Sequence, residues 1–96
     1  MEQKINSIKF DGRFIADYVE GTSRYMPGEY IRWSMYQVDS GKYLVITDYQ
    51  NIFGANIHKE LDCRVFDSLF DVERSELYPD GFMSAVEHEL GVYEYR

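Results

Sequence analysis

Polar and apolar side chains alternate most regularly over residues 29–49, and this pattern predicts two β-strands joined by a tight turn. Residues 38–42 supply the turn, because Gly41 can adopt the positive φ that a short hairpin loop needs. The first arm has two distinct faces, one with Ile31, Trp33 and Met35 and the other with Tyr30, Arg32, Ser34 and Tyr36. We expect the Ile-Trp-Met face to be buried.

The second arm of this hairpin is apolar on both sides. Leu44 and Ile46 project to one side, and Tyr43 and Val45 project to the other. A strand with apolar residues on both faces is typical of the centre of a sheet. We therefore expect this arm to be covered from both sides.

The first twenty residues are also predicted to be extended, in two apolar runs at residues 5–10 and 13–19. The dipeptide Asp11-Gly12 lies between them and favours a turn. Either a separate hairpin or one strand with a bulge at Gly12 fits this pattern. A helix over residues 14–20 is the competing interpretation, but Phe, Ile, Tyr and Val favour strands.

Two loops and one further strand are predicted around the hairpin. Residues 21–28 form a loop because Pro27-Gly28 interrupts regular structure, and residues 50–57 form another because they contain two Asn and a Gly. Residues 61–66 alternate and predict a fourth strand, with Leu61, Cys63 and Val65 pointing inward.

The apolar period lengthens after Asp67, and the change predicts two helices. Asp67 or Ser68 caps the first helix, and Pro79 ends it. Asp80 is the expected cap of the second helix, which ends at Gly91. The two apolar stripes are Leu69, Phe70, Val72 and Leu77, and then Phe82, Met83, Val86 and Leu90.

Strands followed by helices predict a single α+β domain. Its antiparallel sheet has three to five strands in the N-terminal two-thirds of the chain, and two short C-terminal helices pack on one face. A small half-open barrel with the helices plugging one end shares most of these contacts. Residues 92–96 fit either a tail or a last edge strand.

Composition narrows the class of protein. The chain has 96 residues with one cysteine, Cys63, so a disulfide-stapled secreted module is excluded. The first ten residues lack a signal-peptide pattern, and no apolar run approaches the roughly 20 residues that span a bilayer. We expect a soluble, cytoplasmic protein with no membrane partner.

The formal net charge of −7 is distributed unevenly. Residues 1–58 carry seven acids and six bases, whereas residues 59–96 carry ten acids and four bases. Affinity for nucleic acid comes largely from Lys and Arg, so direct nucleic-acid binding is not expected. The acids keep the surface solvated, and they also suit a partner protein with a basic surface. The candidate contacts are Asp71, Glu73 and Glu76.

No catalytic, cofactor-binding or metal-binding residue is predicted. The chain contains neither of the common glycine-rich phosphate-binding motifs, and the spacing of His58 and Cys63 matches no common zinc signature. His88 lies between two glutamates on the outer side of the second predicted helix. A small metal-dependent or thiol enzyme that uses His58, Cys63 or His88 is the alternative function.

Tyr30, Arg32 and Tyr36 form the most informative group, because they share one strand face. Tyr and Arg are enriched in the energetic centres of protein interfaces. We predict a protein-binding face here, provided that the helices do not cover it. The predicted function is therefore a small, acidic, non-enzymatic binding module, an inhibitor or adaptor that acts by steric blockade of a partner.

In size, charge and lack of a catalytic motif, the chain resembles the small inhibitors that phages and mobile elements encode, including anti-CRISPR proteins. The resemblance is to the class as a whole and assigns neither a residue nor a target. A nucleic-acid-handling protein, such as a CRISPR-type defence protein, is one candidate partner. A homodimer through an exposed edge of the hairpin is compatible with both functions, since unpaired strand edges invite partners.

Overall fold

The computed structural model describes residues 2–5, 8–21, 28–53 and 56–91. In this part of the chain, five strands precede two helices: β1 (Glu2–Ile5), β2 (Ile8–Gly21), β3 (Gly28–Val38), β4 (Tyr43–Phe53), β5 (Asn56–Phe66), α1 (Leu69–Arg74) and α2 (Asp80–Leu90). The strands are antiparallel and lie in the order β1-β2-β3-β4-β5. The predicted α+β class is confirmed, and β1 and β5 lie at opposite ends of an open sheet.

The predicted hairpin is the β3–β4 pair, and its turn is confirmed. Gly41 has a φ of 86°, and its N–H donates to the carbonyl of Val38 at 2.9 Å. The N–H of Val38 donates to the carbonyl of Lys42, also at 2.9 Å. Because β3 also pairs with β2, and β4 with β5, neither edge of the hairpin is exposed. This arrangement corrects the expectation of a homodimer through a hairpin edge.

β2 is one continuous strand of 14 residues, so Gly12 marks neither a turn nor a bulge. The bulge lies at Ile15 instead, between the pairs Phe14↔Tyr36 and Ala16↔Met35. The extra residue allows Ile15 and Ala16 to be buried side by side in the core. At Gly12, a Cβ would come within 2.9 Å of the Gln37 carbonyl oxygen, so this glycine permits close strand packing.

The predicted loop over residues 50–57 is wrong at residues 50–53 and 56–57, and residues 54 and 55 lie outside the described part of the chain. The β4–β5 ladder runs from Tyr43↔Phe66 to Phe53↔Asn56, so pairing with a neighbouring strand overrides the turn preference of Asn51 and Asn56. The predicted loop over residues 21–28 falls largely on 22–27, outside the described residues, as does the predicted tail at 92–96.

The predicted fourth strand exists as β5, but its buried side is wrong. Cys63 and Val65 are exposed, and Leu61 is half-buried on the same face. β5 is the last strand in the sheet, and the helices lie over the other face. Alternation is thus preserved in β5, but its apolar side has no covering layer among the described residues.

Both helices pack on one face of the sheet and form the main core there. The sheet contributes Ile15, Ala16, Trp33, Met35 and Val45, and the helices contribute Val72, Phe82 and Val86. Burial of the Ile31, Trp33 and Met35 side is therefore confirmed, with Ile31 at the margin.

We call the opposite side of the sheet the helix-free face. It carries a second cluster of Tyr36, Leu44 and Ile46, with Phe10, Val38 and Leu61 packed around it. Leu44, Val45 and Ile46 are all buried, so the middle of β4 is buried on both faces as expected. On the helix-free face, the second cluster rather than a helix buries it.

Local sequence signals explain most helix ends. The Ser68 hydroxyl accepts a hydrogen bond from the Asp71 N–H at 3.2 Å, which confirms Ser68 as the cap of α1. Pro79 precedes α2, and Asp80 is its first residue rather than its cap, so its carboxylate faces the positive end of the helix dipole. Gly91 ends α2 in the left-handed conformation, with a φ of 69°.

α1 ends with its cap at Ser75, so the prediction that Pro79 ends this helix is wrong. Leu77 lies beyond the helix, which explains why it is 50% exposed instead of continuing the stripe. Phe70, also on the predicted stripe, is 63% exposed. No helix in the described part of the chain is both long and apolar enough to cross a membrane.

Tyr78 lies between the helices and the sheet. Its ring is 6.1 Å from that of Phe66 and 5.6 Å from that of Phe82, centroid to centroid. Its hydroxyl is buried and has no hydrogen-bond partner among the residues that the structure describes. Burial raises the pKa of this hydroxyl from 10.0 to about 12.

Replacing Tyr78 by Phe should leave the free energy of unfolding at pH 7 unchanged or raise it by up to about 1 kcal/mol, because the lost hydroxyl has no partner. In the unsubstituted protein, Tyr78 loses its proton at a lower pH when the chain is unfolded than when it is folded. The free energy of unfolding therefore falls as pH rises from 10.0 towards about 12. Tyr78→Phe should reduce this fall in urea titrations. Tyr78→Leu, the control, loses the ring contacts and should be less stable. A cost above about 1 kcal/mol for Tyr78→Phe at pH 7 would indicate a partner for the hydroxyl.

Gly81 of α2 packs directly against the side chain of Tyr18 on β2. A Cβ there would lie 2.5 to 2.7 Å from ring atoms of Tyr18, which stacks on Trp33. Gly81→Ala should therefore lower the free energy of unfolding by about 1 to 3 kcal/mol in urea denaturation. The same substitution should be neutral or stabilising in a Tyr18→Ala background, since Ala is the better helix former. An equal cost in both backgrounds would show that the ring is not the obstacle.

Candidate protein-binding face

The helix-free face carries the three predicted contact residues of β3. Tyr30, Arg32 and Tyr36 alternate with the residues that the helices cover, so the helices do not lie over them. Their exposure differs: Arg32 is exposed, Tyr30 is half-buried and Tyr36 is only 8% exposed. The face is open to a partner, but the three side chains do not contribute equally to its surface.

Arg32 is held in place by Asp17 of the neighbouring strand. Its Nε donates to Asp17 Oδ2 at 3.0 Å, and its Nη2 contacts the same oxygen. This hydrogen bond raises the pKa of the Arg32 guanidinium, and nearby Tyr30 adds to the effect. The face therefore presents a permanent positive charge whose orientation is set before any partner binds.

Tyr36 packs against neighbouring rings on the helix-free face. Its ring meets the ring of Phe10 at 4.8 Å and that of Phe14 at 5.5 Å between centroids, both edge to face. Burial raises the pKa of its hydroxyl, and Arg32 partly opposes the shift. Tyr36 is thus a packing residue of the helix-free face, with little surface left for contact.

Three exposed apolar side chains on this face were not among the predicted site residues. Phe14 is 46% exposed, Val19 48% and Val65 59%. They lie directly opposite Tyr36, Arg32 and Leu44, respectively, so they share one face with them. Alternation in β2 and β5 predicts that these residues share a face. It does not show which face of the sheet the helices leave open.

The predicted acidic contacts lie elsewhere. Asp71, Glu73 and Glu76 are exposed, and they belong to α1 or directly follow it. Val72 of the same helix packs into the main core, on the side of the sheet opposite Arg32. One flat partner surface cannot touch both groups, so the structure separates the predicted site into two parts.

The three residues of the alternative enzyme function are not brought together. His58 and Cys63 point to opposite faces of β5, as their pairing with Asn51 and Ile46 shows. His88 lies on α2, which packs against β2, and β3 and β4 separate β2 from β5 in the sheet. Within the described residues, no group of three or more His, Cys, Asp or Glu side chains could hold a metal ion.

Cys63 is exposed, and its surroundings do not activate it. Partial burial and the neighbouring charge of Asp62 both raise the pKa of its thiol. Little thiolate is therefore present near neutral pH, and the thiolate is the nucleophilic form.

A polar network that the sequence pattern does not reveal lies at one end of the three neighbouring strands β3, β4 and β5. Asn51 Nδ2 donates to the Tyr49 hydroxyl at 3.1 Å, and that hydroxyl donates to Glu29 at 3.4 Å. His58 Nε2 lies 2.9 Å from Glu60 beside the Tyr49 ring. These groups offer hydrogen-bond donors and acceptors to a polar ligand.

A groove of about 550 Å³ runs between the bulged part of β2 and α2. Its lining includes Phe14, Ala16, Asp17, Ala85, His88 and Glu89. The groove borders the helix-free face at Phe14 and Asp17. Although His88, Asp17 and Glu89 all line it, they do not form one of the metal-binding groups sought among the described residues.

Arg32→Ala should lower the free energy of unfolding by less than about 1 kcal/mol, because the Arg32–Asp17 pair is exposed. Tyr36→Ala should cost about 3 kcal/mol, because it removes a buried ring from the second cluster. Urea denaturation of both variants measures the difference. The reverse order of costs would mean that Arg32, rather than Tyr36, holds the face together.

Comparison of the chain with protein-family models, with curated protein sequences and with solved structures gives no match. Its functional residues are therefore inferred from its own geometry.

Proposed function

We propose that this chain is a small, acidic, non-enzymatic protein-binding module that inhibits its partner by covering part of its surface. The helix-free face is the binding surface. The observation that supports this proposal is the packing of both helices on the opposite face. It leaves the oriented guanidinium of Arg32 beside exposed apolar side chains at Phe14, Val19 and Val65.

The chemistry of this face suits protein recognition. Apolar side chains supply affinity when a partner removes them from water. Arg32 supplies directional hydrogen bonds, and Asp17 already restricts its conformations, so binding costs less side-chain entropy. Half-buried Tyr30 lies next to Arg32 and adds an amphipathic ring of the kind enriched in interface centres.

The overall charge favours a partner with a basic surface in the cytoplasm. Asp71, Glu73 and Glu76 lie away from the helix-free face, so they act through the long-range field of a chain with a net charge of −7. Such a field raises the rate of association more than it slows dissociation. Proteins that handle nucleic acid, including CRISPR-type defence proteins, have basic grooves, and an acidic chain seated there would block access.

The test is affinity capture from the cells that produce the chain, followed by binding kinetics with the purified captured protein. Arg32→Ala and Val19→Ser change the helix-free face. Arg74→Ala and Leu77→Ser are matched controls near α1, since Leu77 is 50% exposed and Val19 is 48% exposed. We expect each face variant to dissociate about tenfold faster, the value for a loss of about 1.4 kcal/mol. The controls should match the unchanged chain.

Charge reversal at Asp71, Glu73 and Glu76 should instead slow association at low salt and leave dissociation unchanged. Equal effects of face and control variants, or loss of capture through the charge reversals alone, would overturn the assignment of the helix-free face. Undiminished capture by both face variants would do the same.

A further inference from the structure

The outer edge of β5 is the longest regular strand edge without a neighbouring strand among the described residues. β5 has 11 residues, and its ladder with β4 contains no register shift. It contains no proline and no bulge, so of the usual protections of an edge strand it has only charged side chains, at positions 59, 60, 62 and 64. Its main-chain groups are therefore arranged to accept another strand.

We propose that two copies of this chain associate through their β5 edges, antiparallel to each other about a two-fold axis at Cys63. The two sheets then form one continuous sheet, with each helix-free face on the same side. This assembly is independent of the partner-binding function proposed above, and it leaves Tyr30 and Arg32 uncovered.

Symmetry limits the possible registers. When a strand pairs with its own copy around an axis perpendicular to the sheet, opposite residues must point to the same face. The axis must therefore pass through a residue rather than between two residues. Near the middle of β5, the candidates are Leu61, Asp62, Cys63 and Arg64.

The register centred on Cys63 matches chemistry on both faces. On one face, Asp62 of each copy lies opposite Arg64 of the other, which gives two cross-strand ion pairs. On the helix-free face, Leu61 of each copy lies opposite Val65 of the other, which gives two apolar pairs. Each of these pairs occurs twice because of the two-fold axis.

The neighbouring registers place like charges together. An axis at Leu61 puts Glu60 opposite Asp62 twice. An axis at Asp62 or at Arg64 puts that residue opposite its own copy. Because like charges directly opposite each other destabilise a sheet, the charges of β5 favour the Cys63 register over the three alternatives.

The same register covers surface that a single copy leaves open. Val65 is 59% exposed and lies beside buried Leu44, while Cys63 lies beside Ile46. Strand addition would extend the apolar cluster of the helix-free face across the two-fold axis. Within one chain, the exposed side chains of Asp62 and Arg64 are 2.9 Å apart. In the dimer, each of them would also lie opposite the other charge on the second copy.

Charge exchange gives the main test, with sedimentation equilibrium of the full chain as the measurement. The unchanged chain should form dimers in a concentration-dependent manner. Asp62→Arg should raise the dissociation constant of the dimer about tenfold or more, and Asp62→Arg combined with Arg64→Asp should restore dimerisation. Glu73→Arg on α1 makes the same charge change away from β5. It should not raise the dissociation constant of the dimer, because it lowers the net negative charge of each copy without touching the interface. Circular dichroism should show that all variants remain folded.

Cysteine crosslinking tests the register. With oxidised glutathione above pH 9, one Cys63 thiolate forms a mixed disulfide and releases one glutathione thiolate. Cys63 of the second copy then displaces the other glutathione, so two thiols are oxidised and one disulfide of glutathione is reduced. Both cross-strand Cα separations in an antiparallel pair, about 4.5 and 5.5 Å, lie within the disulfide range. Val65→Cys in a Cys63→Ser background should crosslink much less, because position 65 lies opposite position 61.

A monomer at every concentration would overturn the proposal. A dimer that is insensitive to Asp62→Arg, or that crosslinks better through position 65 than through Cys63, would overturn it as well. Since these experiments use the chain alone, their failure is distinguishable from failure of partner capture.

Discussion

The packing of α2 and α1 against Trp33, Met35 and Val45 is the contact on which the rest of this structure depends. A sheet of alternating strands has two faces, and two short helices can cover only one of them. Fully buried Phe82 and Val86 bring α2 onto that face. The same packing decides which face of the sheet is exposed.

That choice has consequences for function. On β3, it buries the Ile-Trp-Met side and leaves Arg32 exposed, so the side predicted for protein contact is the open one. It also divides the predicted site, because the acids of α1 lie across the sheet from Arg32. Under the proposed function, the contact face and the separate source of negative potential would act at different stages of binding.

The two proposed surfaces use different parts of the same sheet. Partner binding uses side chains of the helix-free face, whereas self-association uses the main-chain edge of β5. A dimer through β5 would place two helix-free faces side by side, and a partner with a repeated surface would then be held at both sites with increased avidity. Neither surface requires His58, Cys63 or His88 to act as a catalytic group.

Neighbouring residues and backbone preferences are enough to set the turn at Gly41, the cap at Ser68, the left-handed end at Gly91 and the order of strands before helices. These features could therefore be predicted before the fold was known. The covered side of β5 could not, because alternation shows that a strand has two sides without showing where the helices pack. The continuation of β4 to Phe53 and of β5 from Asn56 depends on pairing between the two strands. The bulge at Ile15 and the burial of Tyr36 depend on contacts between residues distant in sequence, which exist only in the folded chain.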